Sequence, residues 1–203
     1  NHRVLRFPFD PAKGRPRTTA DFVMGQTDFN QWTARGDDSF DRLHLPLAVR
    51  VDAQGNVYVL EWGYQPAACR LMKWSGASVA AAIASGKKTV AATAKLLPKP
   101  EGPANILWQP KAIALDPARG GIWVAGTDYS AFFYSFSADA VTHQIHHGGQ
   151  ANWRGVDVDS AGNVYLLDVW NENTMKRYRA DLVDASTPSS PVPWTSGETV
   201  FYG

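Results

Sequence analysis

Short apolar runs, alternating with polar residues and closed by turns, recur along this chain. Three segments match one another: Leu45 to Glu61, Gln109 to Gly126, and Asn152 to Asp168. Each opens on an alternating stretch that ends in aspartate: Ala48 to Val51 before Asp52, Ala112 to Leu115 before Asp116, and Gly155 to Val158 before Asp159. Alternation at period two predicts strand. Asp followed closely by Gly is hairpin chemistry, because the carboxylate bonds the turn backbone and Gly accepts φ > 0. The second runs, Val57 to Leu60, Ile122 to Ala125 and Val164 to Leu167, are almost continuously apolar. That predicts strands buried on both faces, as in sheets stacked face to face.

A third strand follows in each copy: Arg70 to Trp74, Phe132 to Phe136, and Met175 to Tyr178. A weaker fourth lies at Ala92 to Leu97, Thr142 to Ile145, and Thr199 to Tyr202, with Asp21 to Met24 as the equivalent of an earlier copy. Asn1 to Phe7 fits the third-strand slot of that earlier copy. The fold class is therefore all-β, a β-propeller of four-stranded antiparallel blades with about three and a half blades present. Residues 1–30 end one blade, 31–108 form a blade with an insertion at 76–107, and 109–150 and 151–203 form two more. The turn aspartates are 64 and 43 residues apart. The shorter interval matches the roughly 40–45 residues of a four-stranded blade, and the longer implies an insertion of about 20. Within it, Ser78 to Ser85 is open to a short helix or an outer loop.

Composition narrows the class without naming a function. Hydrophobic residues make up 44% of 203, enough for a packed core, and eight Trp, seven Tyr and nine Phe favour strands. Twenty basic and nineteen acidic residues leave a net charge of +1, so no global field draws the chain to nucleic acid. Cys69 is the one cysteine, which excludes an internal disulfide. No apolar stretch is long enough for a membrane-spanning helix. The chain opens on strand-like residues without Met, which predicts a mature product or a fragment. The compartment is open, with a lean toward extracellular or periplasmic.

At these residues the chain resembles NHL-repeat proteins of the bacterial type. Asn1 to Pro8 looks like the end of one repeat, Ala20 to Phe29 like the linker, and Pro46 to Glu61 and Arg154 to Asp168 like repeat bodies. The middle copy departs: Gly126 replaces Glu61 or Asp168, and Phe132 stands where Arg3 and Arg70 occur. The resemblance implies a closed propeller of roughly six blades, so that missing blades or another chain completes the ring and removes exposed edges. It also implies a binding platform more often than an enzyme.

The loops after each second strand, with those entering each first strand, are expected on one face. They supply the ligand-face candidates Glu61, Trp62, Tyr64, Asp128, Tyr129, Asp168, Trp170 and Asn171, with Trp108, Trp153 and Arg154 from the entering loops, where His44 also lies. Rings beside carboxylates and amides suit polar ligands. Structural capping is the competing reading of the same residues. His143, His146 and His147 form the one histidine cluster; on a strand only His143 and His147 share a face, too few for zinc. Lys13, Arg15 and Arg17 form a basic loop. Some NHL propellers bind RNA through basic faces, but a solvated loop is the default here. Asp52, Asp116 and Asp159 read as turn stabilisers. No nucleophile motif is present, no serine adjoins an evident base, and Cys69 reads as a packed residue.

The residues favour a non-catalytic scaffold that recognises a protein, peptide or glycan, with no cofactor and no metal. The alternatives are a metal-dependent propeller lyase or lactonase, whose ligands would converge on the axis, and a structural subunit of a larger assembly.

Overall fold

A computed structural model describes residues 2–34, 38–63, 69–98, 109–126, 130–149, 153–169 and 173–202. Strands account for 47% of the described residues and helices for 10%, in several antiparallel sheets, so the all-β class holds. The chain divides into two compact units, residues 1–63 with 70–96, and residues 64–69 with 97–203.

In the first unit β1 (Val4–Arg6) pairs antiparallel with β4 (Phe22–Met24). Between them a small hairpin joins β2 (Phe9–Asp10) to β3 (Arg15–Pro16), an element absent from the sequence reading. A four-stranded sheet follows in the order β5 (Pro46–Val51), β6 (Val57–Glu61), β7 (Arg70–Trp74), β8 (Ala94–Leu97). Every residue of β6 is buried, as its unbroken apolar run predicts. Phe22 and Met24 pack with Val57, Val59, Met72 and Trp74, and with Val79 and Ala82 of helix α1 (Gly76–Ala84). The insertion is thus helical where it meets this core. Ser75 caps the helix by accepting from Ser78 N–H, an N-cap role typical of serine.

In the second unit β9 (Pro110–Asp116), β10 (Gly121–Gly126), β11 (Ser130–Ser135) and β12 (Ala140–His146) form an antiparallel meander. A second sheet runs β13 (Trp153–Val158), β14 (Val164–Asp168), β15 (Thr174–Tyr178), β17 (Glu198–Tyr202). Between its last two strands lie helix α2 (Ala180–Asp184) and β16 (Val192–Pro193), which pairs parallel to β12 of the neighbouring sheet. Trp123, Phe133 and Ile145 of one sheet pack with Trp153, Val156, Val164 and Leu166 of the other. The sheets therefore stack face to face in this unit.

Two expectations need correction. Burial on both faces holds for β6 and β10 but not for β14, where Tyr165 and Leu167 stay half-buried. The third strand of the middle copy starts at Ser130, not Phe132. A two-residue shift keeps the same faces inward, so hydrophobic patterning cannot detect it.

The first and last copies share one turn device, and it accounts for their aspartates. Asp52 Oδ1 accepts from Gln54 and Asn56 N–H at 3.0 and 2.8 Å, and its Oδ2 from Asn56 Nδ2 and the Tyr58 hydroxyl at 2.8 and 3.0 Å. Asp159 repeats this with Ala161, Asn163 and Tyr165 at 3.0, 2.9, 2.9 and 3.0 Å. The asparagine side-chain carbonyl then reaches onward. Asn56 Oδ1 accepts from Gly76 N–H at 2.9 Å and Asn163 Oδ1 from Ala180 N–H at 3.1 Å, tying each hairpin to the helix that follows its third strand.

These bonds require ionised carboxylates. Burial opposes ionisation of Asp52, but the bonds from Asn56, Tyr58 and Gln54 prevail and hold its pKa below 3.8; for Asp159 the bond from Asn163 leads. A depressed carboxylate adds stability that is complete above the unfolded value and is lost as the pH falls through the native one. Urea midpoints measured at about pH 5 and about pH 3 should therefore drop less in Asp52→Asn than in the parent chain. An unchanged drop would show that the turns do not set the acid response.

Candidate ligand face

Glu61 ends β6 directly opposite Arg70, the first residue of β7, and both side chains are buried. The Arg70 guanidinium is engaged through all three nitrogens. Its Nε donates to Glu61, its Nη1 to Asp38 Oδ1 at 3.1 Å and to the Ser39 carbonyl at 2.7 Å, and its Nη2 to the Arg42 carbonyl at 2.9 Å. Glu61 Oε2 accepts from the His44 N–H at 2.7 Å. One ion pair thus anchors the segment entering β5 to the end of β6.

What it anchors is an aromatic patch. His44 Nδ1 lies 2.6 Å from the Trp62 carbonyl. A carbonyl only accepts, so Nδ1 carries the proton. His2 stacks on His44 with centroids 5.1 Å apart, and Trp62 lies 6.4 Å from His44 at a 34° tilt. His2 Nδ1 accepts from Leu45 N–H at 3.0 Å. Burial, then neighbouring positive charge including His44, pushes the His2 pKa below 6.5, which keeps that acceptor unprotonated; Glu61 opposes the shift. His2, His44 and Trp62 are all half-buried, so each residue keeps part of its surface exposed.

The corresponding end of the last copy is built differently. Trp153 faces Asp168 in register, and both are wholly buried. The residue opposite Asp168 on the third strand is Thr174, not arginine. His147 Nε2 lies 3.9 Å from Asp168 Oδ2. The imidazole sits among indoles: Trp194 at 5.0 Å and Trp153 at 6.5 Å, with the two indoles stacked at 5.9 Å. Lys176 Nζ covers Trp194 at 4.2 Å, a cation–π contact. Both His147 ring nitrogens and both indole N–H groups are buried without a hydrogen-bond partner among the described residues.

In the middle copy the β10–β11 register ends at the Ala125–Ala131 pair, and Ser130 is the first residue of β11. Ser130 Oγ lies 2.9 Å from His146 Nδ1, so a serine does adjoin a base here, contrary to the sequence reading. The pair runs across strands, invisible in linear order. Ser130 is buried, and Gln144 Nε2 also donates to its Oγ at 2.5 Å, so the hydroxyl is held from two sides.

Of the predicted face, Glu61, Trp153 and Asp168 are buried supports, Trp62 is half-buried, and Arg154 is exposed on β13. Tyr64, Trp108, Asp128, Tyr129, Trp170 and Asn171 lie outside the described residues. Sequence reasoning missed His2, Arg70, Lys176 and Trp194 as neighbours of these positions. The three clustered histidines go to separate partners, His143 Nδ1 to the Ser186 carbonyl at 3.0 Å, His146 to Ser130, and His147 to the indoles. Among the described residues no group of three His, Cys, Asp or Glu is placed to hold a metal ion, and no helix is long and apolar enough to cross a membrane.

No protein-family model matches the chain, and no curated protein matches it. Among solved structures, a chain of Kuenenia stuttgartiensis hydrazine synthase is similar at a TM-score of 0.48 and 12% identity, over 85% of this chain. This chain spans 40% of the length of that one.

Proposed function

We propose that the sheets are blades of an NHL-type propeller, and that the chain is a non-catalytic recognition module for a protein, peptide or glycan. The observation that carries this reading is the use made of Glu61. Its carboxylate is committed to Arg70 and to the His44 amide, and that pair holds His2, His44 and Trp62 as an accessible patch on a rigid sheet end. Rigid rings bind at low entropic cost, and an imidazole beside an indole adds a directional polar group. The repeated turns at Asp52 and Asp159 support the blade reading, because one local solution recurs at equivalent places.

The test is a panel of immobilised glycans and peptides probed with the parent chain, Trp62→Ala and His44→Ala. A ligand of the parent should bind Trp62→Ala about 30-fold more weakly, as for a tryptophan at the centre of an interface, with the circular dichroism unchanged. Equal binding by both variants would remove this patch from the recognition face.

A further inference from the structure

We propose that the β2–β3 hairpin forms a binding site for a tetrahedral oxyanion, a phosphate or sulfate group, separate from the aromatic patch. A cavity of about 360 Å³ lies against this hairpin, lined by Asp10, Lys13, Arg15, Arg17, Thr18 and Thr19. That is near the lower end of small-ligand pockets. The lining is cationic and hydroxylic, which is the donor set for an oxyanion: guanidinium forks, an ammonium, and short hydroxyls, with few competing acceptors.

The hairpin fixes the backbone that carries these groups. Asp10 pairs with Arg15 and Phe9 with Pro16 in antiparallel register, and Arg17 N–H donates to the Pro8 carbonyl at 2.8 Å. Cross-strand partners share a face, so Asp10 and Arg15 project to one side, and Arg17 follows directly after the strand. The turn closes through Lys13 N–H to the Asp10 carbonyl at 3.1 Å and Ala12 N–H to Asp10 Oδ1 at 3.2 Å.

Charge accounting favours an anion. Asp10 is the one carboxylate of the lining, and it is occupied by the turn and by Lys13 Nζ at 3.9 Å. Arg15 and Arg17 form no ion pair among the described residues. Several other arginines are spent internally: Arg3 on the Phe29 and Gln31 carbonyls, Arg6 on Asp21, Arg70 on Glu61, Arg119 on Asp116. The hairpin thus concentrates unneutralised positive charge on a chain whose net charge is +1. Two guanidinium groups two residues apart that line one cavity can chelate a single oxyanion from adjacent sides.

Inorganic phosphate and sulfate, titrated into the intact chain with backbone amide NMR as readout, test the site. Saturable shifts confined to residues 10–19 are expected, with chloride at matched ionic strength causing none. The Arg15→Ala/Arg17→Ala double variant, exposed at both positions, should bind at least about tenfold more weakly with an otherwise unchanged spectrum. Arg50→Ala, an exposed arginine on β5, should bind like the parent. Shifts that chloride reproduces, that never saturate, or that survive the double substitution would overturn the proposal. Glycerol 3-phosphate and phosphatidate-containing vesicles, compared in parallel on the parent and the double variant, then separate a soluble phosphomonoester from a lipid headgroup as the source of the anion. Arginine-dependent retention of either supports the site.

Discussion

Arg70→Ala is expected to lower the unfolding free energy by about 3–5 kcal/mol, because it strands a buried carboxylate. Glu61 is wholly shielded from water, so its charge has no solvent to fall back on once the guanidinium is gone. The loss spreads beyond the pair, since the Ser39 and Arg42 carbonyls also lose their donor and Asp38 loses a partner. Removing both charges together should be milder than removing one: Glu61→Leu/Arg70→Met should recover part of the loss, as apolar replacement of buried ion pairs commonly does. Recovery will be incomplete, because the His44 N–H then lacks its acceptor. Urea denaturation followed by tryptophan fluorescence gives all three values. A single-variant cost below about 1 kcal/mol would place the pair with exposed salt bridges and end its role as the anchor of the His44–Trp62 patch.

The same ion pair marks the border of what the sequence reveals. The strands were legible, because period-two alternation and continuous apolar runs report burial directly, and the recurring Asp and Gly report the turns. Of the aromatic candidates, Trp62 beside Glu61 and Trp153 opposite Asp168 could be picked by residue type and loop position. The partner of each acid was not, because it depends on register. Arg70 faces Glu61 and Thr174 faces Asp168, each at the start of its strand, and β11 starts at Ser130, yet aligning the third strands by pattern puts Phe132 in the Arg70 slot. Patterning is blind to a shift by two, so the sequence could not say that equivalent acids in the first and last copies have unlike partners. His2 was also out of reach, since its contact with His44 and Leu45 spans most of a sheet repeat. The β2–β3 hairpin escaped for another reason: two-residue strands carry no periodic signal, and only the bonds at Asp10 and Pro8 define it. The Asn56 and Asn163 bridges were half visible. Asn beside Gly is a turn signal, but its second bond, to a helix start about 20 residues later, is a tertiary fact.

That bridge gives the last prediction, in which restoring the repeat should harm the protein. Gly121 occupies the place that Asn56 and Asn163 hold in the other copies, so consensus logic recommends Gly121→Asn. The middle turn has solved the problem another way. Arg119 reaches Asp116 through its own N–H at 3.1 Å and through Nη1 at 2.7 Å, and Trp123 Nε1 donates to Asp116 Oδ2 at 3.2 Å from the slot of Tyr58 and Tyr165. The same guanidinium then crosses to the neighbouring sheet, donating to the Gly162 carbonyl at 2.8 Å and to Asp184 at 2.6 Å. Asp116 thus has its donors without an asparagine, and the space for one is filled. A Cβ on Gly121 would lie 2.2 Å from the Tyr134 carbonyl oxygen and 2.4 Å from the Phe133 ring. The carbonyl is backbone and Phe133 is buried, so neither can swing aside as a flexible surface chain would. Gly121→Asn should therefore destabilise by about 1–3 kcal/mol, the usual cost of overpacking, and Gly121→Ala should already show most of the loss because the clash is at Cβ. The signature is in that comparison. Equal losses for Ala and Asn locate the cost in backbone approach, whereas an Asn variant as stable as the parent would mean that β10 and β11 can part to admit a side chain and that the middle turn is an ordinary copy of the other two.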